Sequence, residues 1–194
     1  IQLSKVSYVA ANAARRMVTG VTHPAAMTAT PDDFTSTTVD DVSSLYYEML
    51  GARMHVFLGG SLDDATVDAM RYFVAALPAA YGSLMCVQPY APSAPARVHI
   101  DMPQAMQAAV SMMMPAIGRD HPDYIGLRLA VMALGGYFGS RLMRNIREEK
   151  GLTYGISAAL LGSREGAYME IGAQCDRSYV EQVIEETAKE MSGL

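Results

Sequence analysis

Apolar and polar residues alternate along this chain with two periods. Residues 4–18, SKVSYVAANAARRMV, predict a modestly amphipathic helix. Residues 39–50 predict another, with Thr38 or Asp40 able to cap it and Gly51 ending it. A third is expected from Ser61 or Asp63 to about Leu77, with Leu62, Val67, Met70 and Val74 facing inward. RMHVFLGG, residues 53–60, reads as a short strand closed by two glycines. RVHIDM, residues 97–102, alternates and also reads as a strand. QAAVSMMMPAI, residues 107–117, is almost continuously apolar, as a strand buried on both faces would be. Pro122 suits the first turn of a helix over 122–136, and a second helix is expected over 138–150. Strands at 154–161 and 167–174 flank the turn GSREG, and a last helix runs from Arg177. Two stretches read as loop: 19–38, long and rich in Thr and Pro, and 78–96, which holds Pro78, Pro89, Pro92 and Pro95.

Adjacent strands joined by short turns pair antiparallel. The order of elements therefore predicts an α+β fold, a mainly antiparallel sheet with helices packed on one face. No repeat with a 20–50-residue period interrupts this reading.

Composition agrees with a folded chain. Of 194 residues, 51% are hydrophobic and 18% charged, enough to build a sizeable core. The net charge of −5 argues against nucleic acid as the main partner, since binding phosphates needs a basic surface. No apolar run is long enough for a membrane-spanning helix, the best being 108–117. The chain starts at Ile1 with no signal peptide in view, which reads as a trimmed chain or a fragment.

Candidate chemistry is sparse. His23, His55, His99 and His121 are scattered, and none lies in a zinc-binding H-x-x-E-H or its inverse, so no metal is expected in this segment. Cys86 and Cys175 have no histidine nearby in sequence, and inert buried thiols are expected. The glycines at 135, 136 and 139 lack the Gly-Lys-Ser/Thr ending of a phosphate loop, so close helix packing is the simpler reading. Met112–Met114 read as core filling.

The exception is NIREEKGLTYG, residues 145–155. On a helix Arg144 has Glu148 four residues on, whereas Arg147 has no acidic partner at helical spacing. Gly151 is placed to end that helix in the left-handed conformation, and a strand then opens at Tyr154. Arg147 and Tyr154 can thus reach one point with a guanidinium and a phenol, two donors suited to a carbonyl oxygen or a developing oxyanion. The plainer alternative is an exposed arginine complementing the helix dipole.

LGGYFGSRLMRNIREEKGLTYGISA, residues 134–158, resembles the signature of the C-terminal half of M16 zinc metallopeptidases, the family of pitrilysin, insulinase and the mitochondrial processing peptidase. Ser140, Arg141, Leu142, Arg147, Glu148, Gly151, Leu152 and Tyr154 match its pattern. HPAAMTATPDDF resembles the family's H-P-Y-G linker, though without Tyr-Gly, and residues 39–78 resemble the helix–strand–Gly–helix unit that follows. The glycine segment 135–139 is too short for the long glycine-rich loop of the processing peptidase's non-catalytic subunit.

The resemblance implies two homologous α+β halves closing around an unfolded peptide. The first half carries H-x-x-E-H, zinc and the general base. The second has lost them and contributes an Arg and a Tyr, here Arg147 and Tyr154, that hold the substrate backbone. Residues 1–38 would then be helix and linker from the preceding half, and 39–194 the C-terminal-type domain. The implied function is substrate binding and transition-state stabilisation in a zinc endopeptidase, with zinc in the parent enzyme but no cofactor in this segment, which alone should be inactive. The implied partners are a peptide substrate and an N-terminal half or a zinc-bearing partner chain. A homodimer through the exposed sheet face is a further option. The alternative is a non-catalytic, M16-like peptide-binding or scaffold subunit.

Overall fold

Three strands make the sheet of the protein, whose computed structural model describes residues 4–52, 54–77, 88–163 and 165–194. They are β1 (Ala108–Ala116), β2 (Thr153–Gly162) and β3 (Ala167–Cys175). β3 lies in the middle and pairs antiparallel with both neighbours. Because side chains alternate across a strand, one register fixes which residues are buried. Val110, Met112 and Met114 on β1, Ile156, Ala158 and Leu160 on β2, and Met169, Ile171, Ala173 and Cys175 on β3 all face the core. Met112 and Met114 are core filling, as expected, whereas Met113 alternates to the opposite face.

Helix α5 (Tyr124–Gly135), a π-helical segment (Met143–Glu149) and helix α6 (Val180–Ser192) cover that face. They bring in Val131, Leu134, Ile146 and Val183, joined by Leu142 just before the π-helical segment. The glycine at the end of α5 has a packing reason. A Cβ on Gly135 would stand 2.5 Å from the backbone nitrogen of Ala158 and 2.7 Å from its Cβ. The helix therefore rests directly on β2 at Gly135, the close packing expected of this glycine segment. Helix α1 (Val6–Thr19) crosses the other face, with Tyr8 and Ala11 beside Ser111, Ser157, Glu170 and Gly172. The α+β class expected from the pattern is what forms, but with helices on both faces of the sheet rather than one, because α1 covers the face opposite the core of α5 and α6.

Two expected strands do not. Residues 54–60 and 97–102 are irregular. Alternation is a local property, whereas a strand needs a neighbour for its backbone groups. Here Phe57, Val98 and Ile100 are exposed. Residues 97–105 are instead held by side chains. Arg97 pairs with Glu181, and Nη2 of Arg177 donates to the carbonyls of Met102 and Ala105 at 3.0 and 2.7 Å. The expected loop 19–38 is also more structured than it reads. It contains a 3-10 turn (Pro24–Ala26) and helix α2 (Pro31–Ser36), opened by a reciprocal Thr30–Asp33 capping box. Arg53, Cys86 and most of the 78–96 loop lie outside the described residues.

The chain divides into two compact units, Ile1–Thr28 with Gln88–Leu194, and Ala29–Val87. In the second, Thr38 and Asp41 form a capping box on α3 (Val39–Leu50), and Gly51 follows its last turn. Asp63 caps α4 (Asp64–Ala75) through the Thr66 N–H at 2.8 Å. Val67, Met70 and Val74 form a half-buried stripe, but Leu62 stays exposed.

Candidate functional site at the end of the π-helical segment

The helix leading into the site is wider than an α-helix. The Lys150 N–H donates to the Asn145 carbonyl, five residues back, at 3.1 Å. The Leu152 N–H reaches the Ile146 carbonyl at 2.9 Å. This π-helical winding shifts which side chains are neighbours. Arg144 faces Glu149 at 3.8 Å rather than Glu148, because the hydrogen bonds now span five residues rather than four. Gly151 closes the segment at φ +62°, a left-handed conformation that costs glycine nothing.

One face of the segment is clamped to α6. Nε of Arg141 donates to Glu190 at 2.7 Å, and Nδ2 of Asn145 reaches the other Glu190 oxygen at 2.7 Å. Lys150 and Lys189 both bind the largely buried Glu186. The hydrogen bonds from Lys150 and then Lys189 pull the Glu186 carboxyl down to a pKa of about 2. Burial pushes Glu190 upward, but Arg141 and Asn145 outweigh it and hold that carboxyl low.

Tyr154 is aimed outward by a β-bulge. Thr153 pairs with Cys175 and Gly155 with the adjacent Gln174, so Tyr154 is an extra residue opposed by nothing. The buried Thr153 hydroxyl accepts the Gly155 N–H at 3.1 Å and donates to the Gln174 carbonyl, fixing the bulge. Tyr154 is left 88% exposed. Its ring centroid lies 5.7 Å from the Arg147 guanidinium carbon.

The two residues singled out by spacing are therefore brought together on one solvent-facing surface. Arg147 has no acidic partner among the described residues. Instead its guanidinium lies over the ring of Phe138 as well, 4.7 Å from the centroid. Phe138 carried no signal in the sequence. It sits in the turn Tyr137–Ser140, where no periodicity marks a contact nine residues ahead, and the bulge was equally invisible. The other motif residues mostly build the site. Ser140, Leu142 and Leu152 are buried, and Gly151 makes the turn. Chemically the arrangement offers in-plane N–H donors and a phenolic O–H, with no carboxylate among the described residues competing for them.

The histidines serve elsewhere. His23 is buried, accepts the Ala25 N–H on Nδ1 at 3.0 Å, and so donates from Nε2 to the Gln88 carbonyl at 2.9 Å. Its ring meets Tyr90 edge-on at 5.0 Å. His121 accepts the Asp123 N–H at the start of α5, while His55 and His99 are exposed. Among the described residues no three His, Cys, Asp or Glu side chains gather as metal ligands. Cys175 is buried, and burial pushes its thiol pKa up, away from the reactive thiolate. No helix of the described residues is long and apolar enough to cross a membrane.

Comparison with known families places this constellation. The sequence profile described as the peptidase M16 inactive domain matches residues 36–194. The chain belongs to the peptidase M16 family. A solved M16 inactive-domain protein from Pseudomonas fluorescens superposes with a TM-score of 0.87 at 23% identity, over 99% of this chain and 47% of that one. A conserved protein from Enterococcus faecalis V583 superposes at 0.72 with 17% identity, over 98% of this chain and 45% of that one. At these identities the likeness is one of fold, and this M16 chain spans about half the length of either. No curated protein matches it by sequence.

Proposed function

We propose that this M16 domain is the substrate-holding half of a two-half zinc endopeptidase, and that Arg147 and Tyr154 bind the backbone of an extended polypeptide at the scissile carbonyl. The observation that carries the reading is the meeting of a half-buried arginine, without an acidic partner among the described residues, and an exposed, bulge-presented tyrosine. A salt-bridged arginine would have its donors committed already. Here the guanidinium edge and the phenol are free to take a carbonyl oxygen, and to bind it more strongly as it gains negative charge. Among the described residues no group of side chains fits zinc. In this reading the metal chemistry belongs to an N-terminal half or a zinc-bearing partner chain, and no step runs through a metal on this chain.

The test is reconstitution. The chain is combined with its zinc-bearing half, in one polypeptide or two, and assayed on an unstructured peptide. Cleavage that needs both halves and stops with a chelator supports the reading. Peptide binding by a pair that never cleaves would instead identify a scaffold or peptide-binding subunit.

A further inference from the structure

We propose that Phe138 is a positioning residue for Arg147: its ring face fixes the plane of the guanidinium, so that the in-plane donors are presented beside the Tyr154 phenol. The inference rests on the site proposed above but concerns a residue that no motif marks. Arginines are usually oriented by a carboxylate, which takes two of the five donors and neutralises the charge. Arg147 is held differently. Its guanidinium carbon is 4.7 Å from the Phe138 centroid and 5.7 Å from that of Tyr154. A ring face attracts the cation through its quadrupole and accepts no in-plane hydrogen bond. Every donor stays available and the positive charge stays whole, which is what binding an uncharged carbonyl that becomes an oxyanion requires.

The surroundings are built to hold that ring in place. Phe138 sits in a turn closed by the Ser140 N–H on the Tyr137 carbonyl at 3.1 Å. Gly135 locks the helix before this turn onto β2. The buried Leu142 and Ile146 anchor the segment after it, on which Arg147 stands. Phe138 itself is 65% exposed, a poor position for an aromatic ring whose only service is to the core.

Side-chain NMR of the 194-residue chain tests this directly, through Arg147 Nε–Hε relaxation and ring-current shifts in the wild type, Phe138→Tyr and Phe138→Leu. Phe138→Tyr keeps an aromatic face and should leave the Arg147 signal upfield-shifted and ordered. Phe138→Leu keeps apolar volume, so the fold should survive, but the shift should collapse and the order parameter fall. In the reconstituted peptidase Phe138→Leu should lower kcat/KM about fivefold, the factor a surface cation–π contact is able to supply. It should have no further effect once Arg147→Lys is present. Unchanged Arg147 relaxation in Phe138→Leu, or losses that multiply with those of Arg147→Lys, would overturn the proposal. If the NMR effects appear but Arg147→Lys leaves cleavage intact, the positioning stands and the role proposed for the pair falls.

Discussion

Adding a single carbon at Gly135 probes the contact that sets α5 against β2. In a helix, Ala is more favourable than Gly by about 1 kcal/mol, so Gly135→Ala should stabilise the chain if nothing else intervened. The structure says that something does. The new Cβ would lie 2.5 Å from the Ala158 nitrogen, 2.7 Å from the Ala158 Cβ and 3.0 Å from Leu142 Cδ1. Unstrained contacts of this kind sit at about 3.5–4 Å, so helix and strand must part by roughly 1 Å. Overpacking costs about 1–3 kcal/mol, and a clash with backbone belongs at the upper end because no rotamer change relieves it. Subtracting the propensity gain leaves a net loss of about 2 kcal/mol, or about 4–8 °C in Tm for a chain of this size. Gly126 in the same helix is the control. Nothing lies within 4 Å of its added Cβ, so Gly126→Ala should hold or raise stability by up to about 1 kcal/mol. Urea and thermal denaturation followed by circular dichroism would compare the three proteins. A Gly135→Ala variant as stable as Gly126→Ala would refute the direct helix-on-strand contact.

Other expectations follow from single groups. Glu186 has its carboxyl depressed to about 2 in the fold, so its stabilising contribution is complete above the unfolded carboxylate range and disappears as pH falls toward 2. Glu186→Gln should therefore be the less stable protein at pH 6 and converge on the wild type by pH 2, read from urea midpoints across that range. Gly151→Ala should lose about 1 kcal/mol by urea denaturation, because φ is +62° while the space around the position is open. Ser140→Ala should be neutral or gain about 1 kcal/mol in the same assay, since the buried hydroxyl has no hydrogen-bond partner among the described residues.

Much of the fold was legible because local chemistry and tertiary structure agreed. Thr38 caps α3 as the rules require and Gly51 follows its last turn, the apolar run at 107–117 became β1, and Gly151 took its left-handed turn. What could not be read depended on partners distant in sequence. RVHIDM alternates like a strand, yet its fate is set by Arg177 and Glu181, some eighty residues on. The Arg144 pairing went to Glu149 because the hydrogen bonds of the segment widen to five residues, which α-helical spacing does not anticipate. The site was half legible in the same sense. The missing acidic partner of Arg147 and the strand opening at Tyr154 are sequence facts. The bulge that turns Tyr154 outward and the ring of Phe138 beneath the guanidinium emerge only when three segments meet.

The central claim is that Arg147 and Tyr154 act together on a peptide carbonyl. Its most direct test is kcat/KM for Tyr154→Phe in the reconstituted two-half peptidase, because this change removes one hydroxyl and leaves the ring. Losing one oxyanion donor should cost roughly 3 kcal/mol, a fall of about a hundredfold expressed mainly in kcat. A kcat/KM equal to that of the wild type, with cleavage otherwise intact, would contradict the account.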